Sequence, residues 1–225
     1  MKISIIIPVL NEADVLESNL KKLQWLRQLG HEIIVVDGGS QDHSAILAAP
    51  FADQVLSSSP GRALQMNEGA KSAEGDIFLF LHVDTLLPHD GADAVFESIA
   101  QQGAGWGRFD VRLSGQHFLF RIIERMMNWR SRLTGISTGD QAIFVSKDLF
   151  EKIGGFPDIP LMEDVELSHR LKKISKPFCL PQKVVTSSRR WEQGGIFKTM
   201  LLMWQLRLAY WLGSDPDQLA RLYRQ

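Results

Sequence analysis

Two hydrophobic rhythms alternate along the first hundred residues. Residues 3–9 are a nearly unbroken run of β-branched side chains, the pattern of a strand buried on both faces. Residues 12–29 then carry Val15, Leu16, Leu20, Leu23 and Leu26 at helical spacing, and Gly30 stands where a helix stops. A second buried strand spans 32–37 and ends on Asp37, followed by a tight turn at Gly38-Gly39-Ser40. A short helix over 42–49, a strand over 53–56, a helix over 61–73 and a strand over 76–81 complete the half. This β-α-β-α-β-α-β order with short loops predicts an α/β fold with a doubly wound, mostly parallel sheet.

The second half is less regular. Residues 103–113 read as sheet, 117–133 as helix, 141–145 as a short strand, 147–153 as a helix closed by Gly154-Gly155, and 163–173 as a helix. Residues 196–212 form a long amphipathic stretch. No repeat, low-complexity run or linker interrupts the chain. The expectation is one domain over 1–225, with a regular half at 1–100 and a less regular half at 101–225.

Composition changes this picture little. An apolar share of 44% and a charged share of 23% are those of a globular chain. A net charge of −1 gives no reason to expect a nucleic-acid partner. The single cysteine, Cys179, excludes an internal disulfide framework and any paired-cysteine metal knuckle. The opening apolar run is short and broken by Pro8, so it is no signal segment, and no stretch approaches the roughly 20 apolar residues that span a bilayer. The expected location is cytoplasmic, with the inner membrane face as a variant of it.

Candidate chemistry clusters after strand ends: Asn11 and Glu12, then Asp37, then His82 and Asp84. Ligands of open α/β sheets bind along that edge. Mg²⁺ or Mn²⁺ bridging a diphosphate needs only one or two protein oxygens, which Asp84 can supply. His82, two positions earlier on an extended chain, falls on the same side, and imidazole suits Mn²⁺. The plain alternative is a turn cap and a hydrogen-bonded core histidine. Asp37 can accept from a base or ribose, or simply close an Asx turn. Arg62 opens a helix and can bind an anion, or stay solvated. Glu163 and Asp164 can divide general-base and orienting roles, or only favour a helix dipole. Arg189, Arg190 and Trp191 can hold phosphate and stack a sugar or lipid, or form a basic loop over a core tryptophan.

In order and spacing these segments resemble the family 2 glycosyltransferases of GT-A fold. The resemblance runs through residues 6–12, 34–42, 67–70, 81–88, 139–144, 153–156 and 163–170, over nearly the full length, and is nearest to small stand-alone bacterial members. It implies an enzyme moving a sugar from a nucleotide-diphosphate-sugar to an acceptor hydroxyl with a divalent metal, Mn²⁺ or Mg²⁺, and inversion. It gives Pro8, Asn11 and Glu12 to the donor pocket, Asp37 to base or ribose, and Arg62 to the diphosphate. Asp84 matches the second acid of the metal motif, Asp164 the catalytic base, and Asp140 and Gln141 the sugar or acceptor region. Two positions depart from the family pattern. Gly38 replaces an acid that often reads the base, and His82 replaces the first acid of the metal motif.

The acceptor is less defined. Residues 117–133 and 196–212 both mix aromatic and apolar positions with Arg or Lys, a pattern that lies on anionic membranes, faces a core, or faces a second copy in a homodimer. A lipid-linked acceptor and peripheral membrane contact are expectations of the first kind. Two rivals share the nucleotide fold: a sugar-phosphate nucleotidyltransferase and a degenerate nucleotide-binding module. The first usually has a Gly-rich basic loop where Val9-Leu10-Asn11-Glu12 stands, and retained Asp84 and Asp164 argue against the second. A dinucleotide oxidoreductase is excluded because no GxGxxG follows a strand.

Overall fold

The computed structural model describes residues 1–101, 103 and 105–223. Its first half follows the β-α alternation: β1 (Ile3–Val9), α1 (Ala13–Lys22), α2 (Gln24–Gln28), β2 (Glu32–Asp37), α3 (Ser44–Ala48), β3 (Gln54–Ser57), α4 (Arg62–Ser72) and β4 (Ile77–Phe80). The chain continues through β5 (Thr85–Leu86), α5 (Gly91–Phe96), β6 (Trp106–Leu113), α6 (Phe118–Thr134), β7 (Ile143–Ser146) and α7 (Lys147–Lys152). It ends with α8 (Glu163–Lys172), β8 (Phe178–Thr186), α9 (Arg189–Gly194), α10 (Ile196–Trp211) and α11 (Pro216–Tyr223).

One eight-stranded sheet runs β3-β2-β1-β4-β7-β6-β8-β5. β7 is antiparallel to both neighbours and β5 to β8, so six of the eight strands share one direction. The period-2 alternation of the buried strands feeds two cores. Ile3, Ile5, Ile7, Ile33 and Val35 pack against Leu16, Leu20, Leu23 and Leu26 on one side. Ile6, Ile34 and Val36 pack against Ala63, Met66 and Ala70 of α4 on the other, with Leu167 and Leu171 of α8. At Gly69 the helix rides so close that a Cβ would stand 2.5 Å from Ile6 Cγ2 and 3.0 Å from Val36 Cγ2.

The single helix expected over 12–29 is two. Leu20, Leu23 and Leu26 are buried at intervals of three, and the chain tightens to match: Leu23 N–H donates to Leu20 O and Leu26 N–H to Leu23 O. The strand expected through 81 stops at Phe80, and residues 82–85 form a turn closed by Thr85 N–H to His82 O. The sheet segment expected over 103–113 begins at Trp106, and Ala104 lies outside the described residues.

The two long helices of the second half settle which way their stripes face, a point the sequence left open. α6 meets β6 through polar groups: Asn128 pairs with both Val111 N–H (2.8 Å) and Val111 O (3.0 Å), and Glu124 accepts from Leu113 N–H at 2.6 Å. Its apolar stripe, Phe118, Ile122, Met126, Trp129 and Leu133, faces out. α10 is apolar on both sides. It packs Leu202, Met203, Leu206 and Tyr210 with Val165 and Leu219, while Phe197, Leu201, Trp204, Leu208 and Trp211 are exposed.

Candidate functional site

Parallel register brings Val9 and Asp37 level, so the loops after β1, β2 and β4 open on one edge of the sheet. Two side chains fasten the first two loops. Asn11 sits in the left-handed region (φ 54°), and its Oδ1 accepts from Gln41 N–H at 2.8 Å. Gln65, buried on α4, donates from Nε2 to Val9 O and Val36 O, both at 2.8 Å. The start of α1 takes its acceptors from across the gap: Ala13 N–H donates to Asp42 Oδ2 at 2.9 Å.

Below this edge lies a cleft of about 1230 Å³, walled by both halves of the chain. Pro8, Glu12, Arg62, His82 and Asp84 line it from the sheet side; Asp140, Glu163, Asp164, Arg190 and Trp191 line it from the other. The turn at 82–85 replaces the extended chain on which His82 and Asp84 were expected to share a side. His82 Nδ1 lies 3.5 Å from Asp140 Oδ1, and its ring fills the space a Cβ on Gly139 would need. Among the described residues no hydrogen bond or ion pair engages the Asp84 carboxylate. No group of three metal-ligating side chains occurs among the described residues either. These side chains would offer a divalent cation one free carboxylate, with the remaining ligands left to other molecules, a set compatible with Mg²⁺ or Mn²⁺.

α8 starts on Met162, a buried residue held at φ 69°. Such a backbone costs on the order of 1–3 kcal/mol and persists where surrounding packing over-determines it. It sets Glu163 and Asp164 into the cleft. Asp164 accepts from Gly139 N–H and from Val165 N–H, both at 2.7 Å, which ties α8 to the 139–141 turn. Glu163 is buried, and its carboxyl is pushed up to about 7. Burial is the main cause and the charge of Asp164 adds to it, against the opposing pull of Arg62 and His82. Burial also acts on Asp140, but His82, Arg62 and Arg207 win and hold its carboxyl below the usual range. For Arg62, the surrounding protein pulls the pKa down, yet Tyr223 and the carboxylates of Glu163, Asp140 and Asp164 raise it above its ordinary value. The Arg62 side chain still reaches water, so this charge is available to a ligand in the cleft.

Three expected residues stand outside the cleft wall. Asp37 is buried and accepts from Gly39 N–H (3.2 Å) and Ser40 N–H (3.0 Å), an Asx turn that shapes the loop. Asn11 is likewise occupied by the neighbouring loop. Gln141 is fully buried, donating to Ser131 Oγ at 3.1 Å and accepting from Thr138 N–H, so it supports Asp140 from beneath rather than facing a ligand. Arg190 lies 3.6 Å over the Tyr223 ring and donates to Tyr223 O, while Trp191 packs with Phe120 and Ile123. Arg189, expected together with Arg190 and Trp191, reaches Glu12 at 3.1 Å across the cleft mouth. Arg130 and Arg207, read from the sequence only as cations of two amphipathic helices, stand in the cleft wall. Sequence reasoning missed Gln65, because it acts on strands distant in the chain.

Comparison with known proteins adds to this geometry. A bacterial undecaprenyl-phosphate 4-deoxy-4-formamido-L-arabinose transferase from Yersinia enterocolitica is 33% identical over 156 residues, 62% of this chain and 46% of that protein. A dolichol-phosphate mannosyltransferase from Pyrococcus furiosus is 26% identical over 179 residues, 75% of this chain and 49% of that protein. The chain thus spans about half the length of each relative. Among solved structures, a mannosyltransferase from Pyrobaculum calidifontis in complex with GDP-Man and Mn²⁺ superposes with a TM-score of 0.66 at 22% identity, covering 98% of this chain and 68% of that one. It shares the fold. The family model described as Glycosyl transferase family 2 matches residues 4–153, two thirds of the chain, and the protein belongs to that family.

Proposed function

We propose that the protein transfers a sugar from a nucleotide-diphosphate-sugar to an acceptor O–H, with inversion at the anomeric carbon. The observation that carries this reading is the opposition, across one cleft, of an unpaired Asp84 and a cationic Arg62 on the sheet side to Asp164 on the α8 side. Asp84, with His82 beside it, would hold a divalent cation, which when bound offsets the charge that develops on the leaving diphosphate. Arg62 faces the same charge. Asp164, fixed by two backbone N–H groups, takes the proton of the acceptor as its oxygen attacks from the opposite face. Glu163 sits beside it, nearly buried in the cleft wall, and sets the local charge. Asp140, held by His82, lies between donor and acceptor walls and is placed to orient the sugar. Pro8, Asn11, Glu12 and Asp37 shape the base and ribose end.

The acceptor is proposed to be lipid-linked and reached at a membrane face. No helix among the described residues is long and apolar enough to cross a membrane. Instead, α6 and α10 expose ten large apolar side chains and carry six cations against one acid, a net of +5 in a chain whose total is −1. Apolar side chains interleaved with cations suit the interface of an anionic bilayer. Burial of the same surface in a homodimer is the competing use of it.

The direct test is a thermal-shift screen of UDP- and GDP-sugars, with and without Mn²⁺ or Mg²⁺, on wild type and Asp84→Ala. A donor at a hundred times its dissociation constant adds about 2.7 kcal/mol to folded-state stability. A metal-dependent shift with one donor, lost in the variant, is the expected result. No shift with any donor or metal would return the chain to the degenerate-module reading.

A further inference from the structure

The cleft continues away from the sheet as a groove between α6 and α10, walled by Met126 and Trp129 on one helix and Met203 and Trp204 on the other. At its inner end stand Arg130 and Arg207, one from each helix, both in the cleft wall with Asp164 and Asp140. Arg130 is in an unusual position. Its Nε and Nη2 are shut off from water and have no hydrogen-bond partner among the described residues, and Nη1 makes only a long bond of 3.4 Å to Ile136 O. Among the described residues no carboxylate lies within ion-pair distance of Arg130 or Arg207.

A buried donor without an acceptor is costly, and more so for a charged group. A guanidinium with unmatched donors beside a second arginine has the chemistry to receive an anion. Its electrostatics agree: burial first, and then the Arg207 charge, push the Arg130 guanidinium down to about 10, against the pull of Asp164. Its neighbour Arg132, two residues along the same helix, shows the contrast, since it is satisfied by Asp110 at 2.8 Å.

We infer that Arg130 and Arg207 form a binding site for the phosphate monoester of an amphiphilic acceptor, whose apolar chain occupies the groove between α6 and α10. This rests on the transferase reading for its chemistry. Two guanidinium groups match the oxygens of a phosphate in fork geometry, and the apolar walls give the adjoining chain its place. The site is separate from the donor end, which Pro8, Arg62 and Asp84 mark on the sheet side. It is next to Asp164. A phosphate monoester in its monoanionic form carries a P–O–H group. Asp164 takes that proton, the oxygen forms the new bond to the anomeric carbon, and the bond from that carbon to the diphosphate breaks with its electron pair leaving on the nucleoside diphosphate.

The test is calorimetric titration of the full chain with octyl phosphate, inorganic phosphate and octyl glucoside, for wild type, Arg130→Met and Arg207→Met. A nucleoside diphosphate with Mn²⁺ is titrated into each protein in parallel. The expected result is octyl phosphate binding at least about tenfold tighter than either comparison ligand, weakened about tenfold or more by each variant, with nucleotide affinity held within about twofold. The Arg207 side chain makes no hydrogen bond among the described residues, so Arg207→Met keeps the test intact if Arg130→Met fails to fold. Octyl phosphate affinity unchanged in the folded variants overturns the inference. So does parallel loss of nucleotide binding, which would assign the pair to the donor. Inorganic phosphate binding as tightly as octyl phosphate would make this a free-phosphate site and overturn the amphiphile. Arginine-dependent octyl phosphate binding in a wild type that binds no nucleotide would keep the site and remove the transferase reading instead.

Discussion

Glu163 gives the cleft a pH dependence of stability whose sign and size follow from its surroundings. Its side chain is 5% exposed and borders a small void walled by Met66, Phe80, Ile143 and Phe156. Burial raises its carboxyl from the ordinary 4.5 to about 7, with Asp164 adding to the shift. The folded protein therefore holds a proton on Glu163 that the unfolded chain releases between those two values. The stabilisation from this proton is fully present below 4.5 and is lost as pH rises through about 7. The gap corresponds to on the order of 3 kcal/mol. Glu163→Gln keeps the shape and removes the ionisation. Urea unfolding of wild type and variant at about pH 5 and about pH 8 isolates the effect. His31, whose buried imidazole is held below its ordinary value, acts with opposite sign across part of this window and drops out of the difference. The expectation is that the variant gains on wild type by up to on the order of 3 kcal/mol as pH rises over that interval. A difference that stays flat would refute the burial argument. The consequence for the proposed chemistry is direct: a proton kept on Glu163 removes one negative charge from beside Asp164, the base in that proposal.

Further outcomes follow from the same geometry. Asp164→Asn should lower turnover by about 10²–10⁴-fold while leaving the donor-induced melting shift in place, and turnover within a few-fold of wild type would remove Asp164 as the base. Gly69→Ala should lose about 1–3 kcal/mol in urea unfolding, because its Cβ enters the space of Ile6 and Val36, neither of which can withdraw from the sheet. The protein should float with anionic vesicles at low salt and detach as salt rises, with Trp204→Ser and Trp211→Ser weakening the association. No flotation, together with a dimer in solution that these substitutions dissociate, would assign the exposed faces of α10 to a second copy.

Much of the first half was legible because its signals are local. A strand buried on both faces announces itself as an apolar run, and β1, β2 and β4 lie within a residue or two of where those runs place them. The positions of Asp84, Glu163 and Asp164 could be read for the same reason: Asp84 lies in the turn after β4, and Glu163 and Asp164 open α8. β8 escaped detection because Pro181, Gln182 and Lys183 interrupt it, and only its pairing with β6, whose register shifts between Phe109 and Asp110, makes it a strand. Asp37 and Gln141 were legible as chemistry but not as placement, since an Asx turn and a capping box use the same side chains a ligand would use.

The orientation of α6 and α10 could not be read at all. Helical spacing identifies an apolar stripe but not the direction it faces, and the usual inference that it faces inward fails here because the inner face of α6 is satisfied by other means. Asn128 completes the hydrogen bonds of Val111, Glu124 those of Leu113, and this frees Trp129 and Met126 to face outward. The same inversion separates Arg130 from Arg132. In the sequence they are two arginines on one helix; in the fold, one finds Asp110 and the other is drawn into the cleft with its donors unmatched. A helix that spends its polar residues inward and its apolar residues outward gives up part of the ordinary core gain. The groove and the unmatched guanidinium both lie along the seam where it does so, which makes that seam the part of the second half where ligand chemistry is physically best supported.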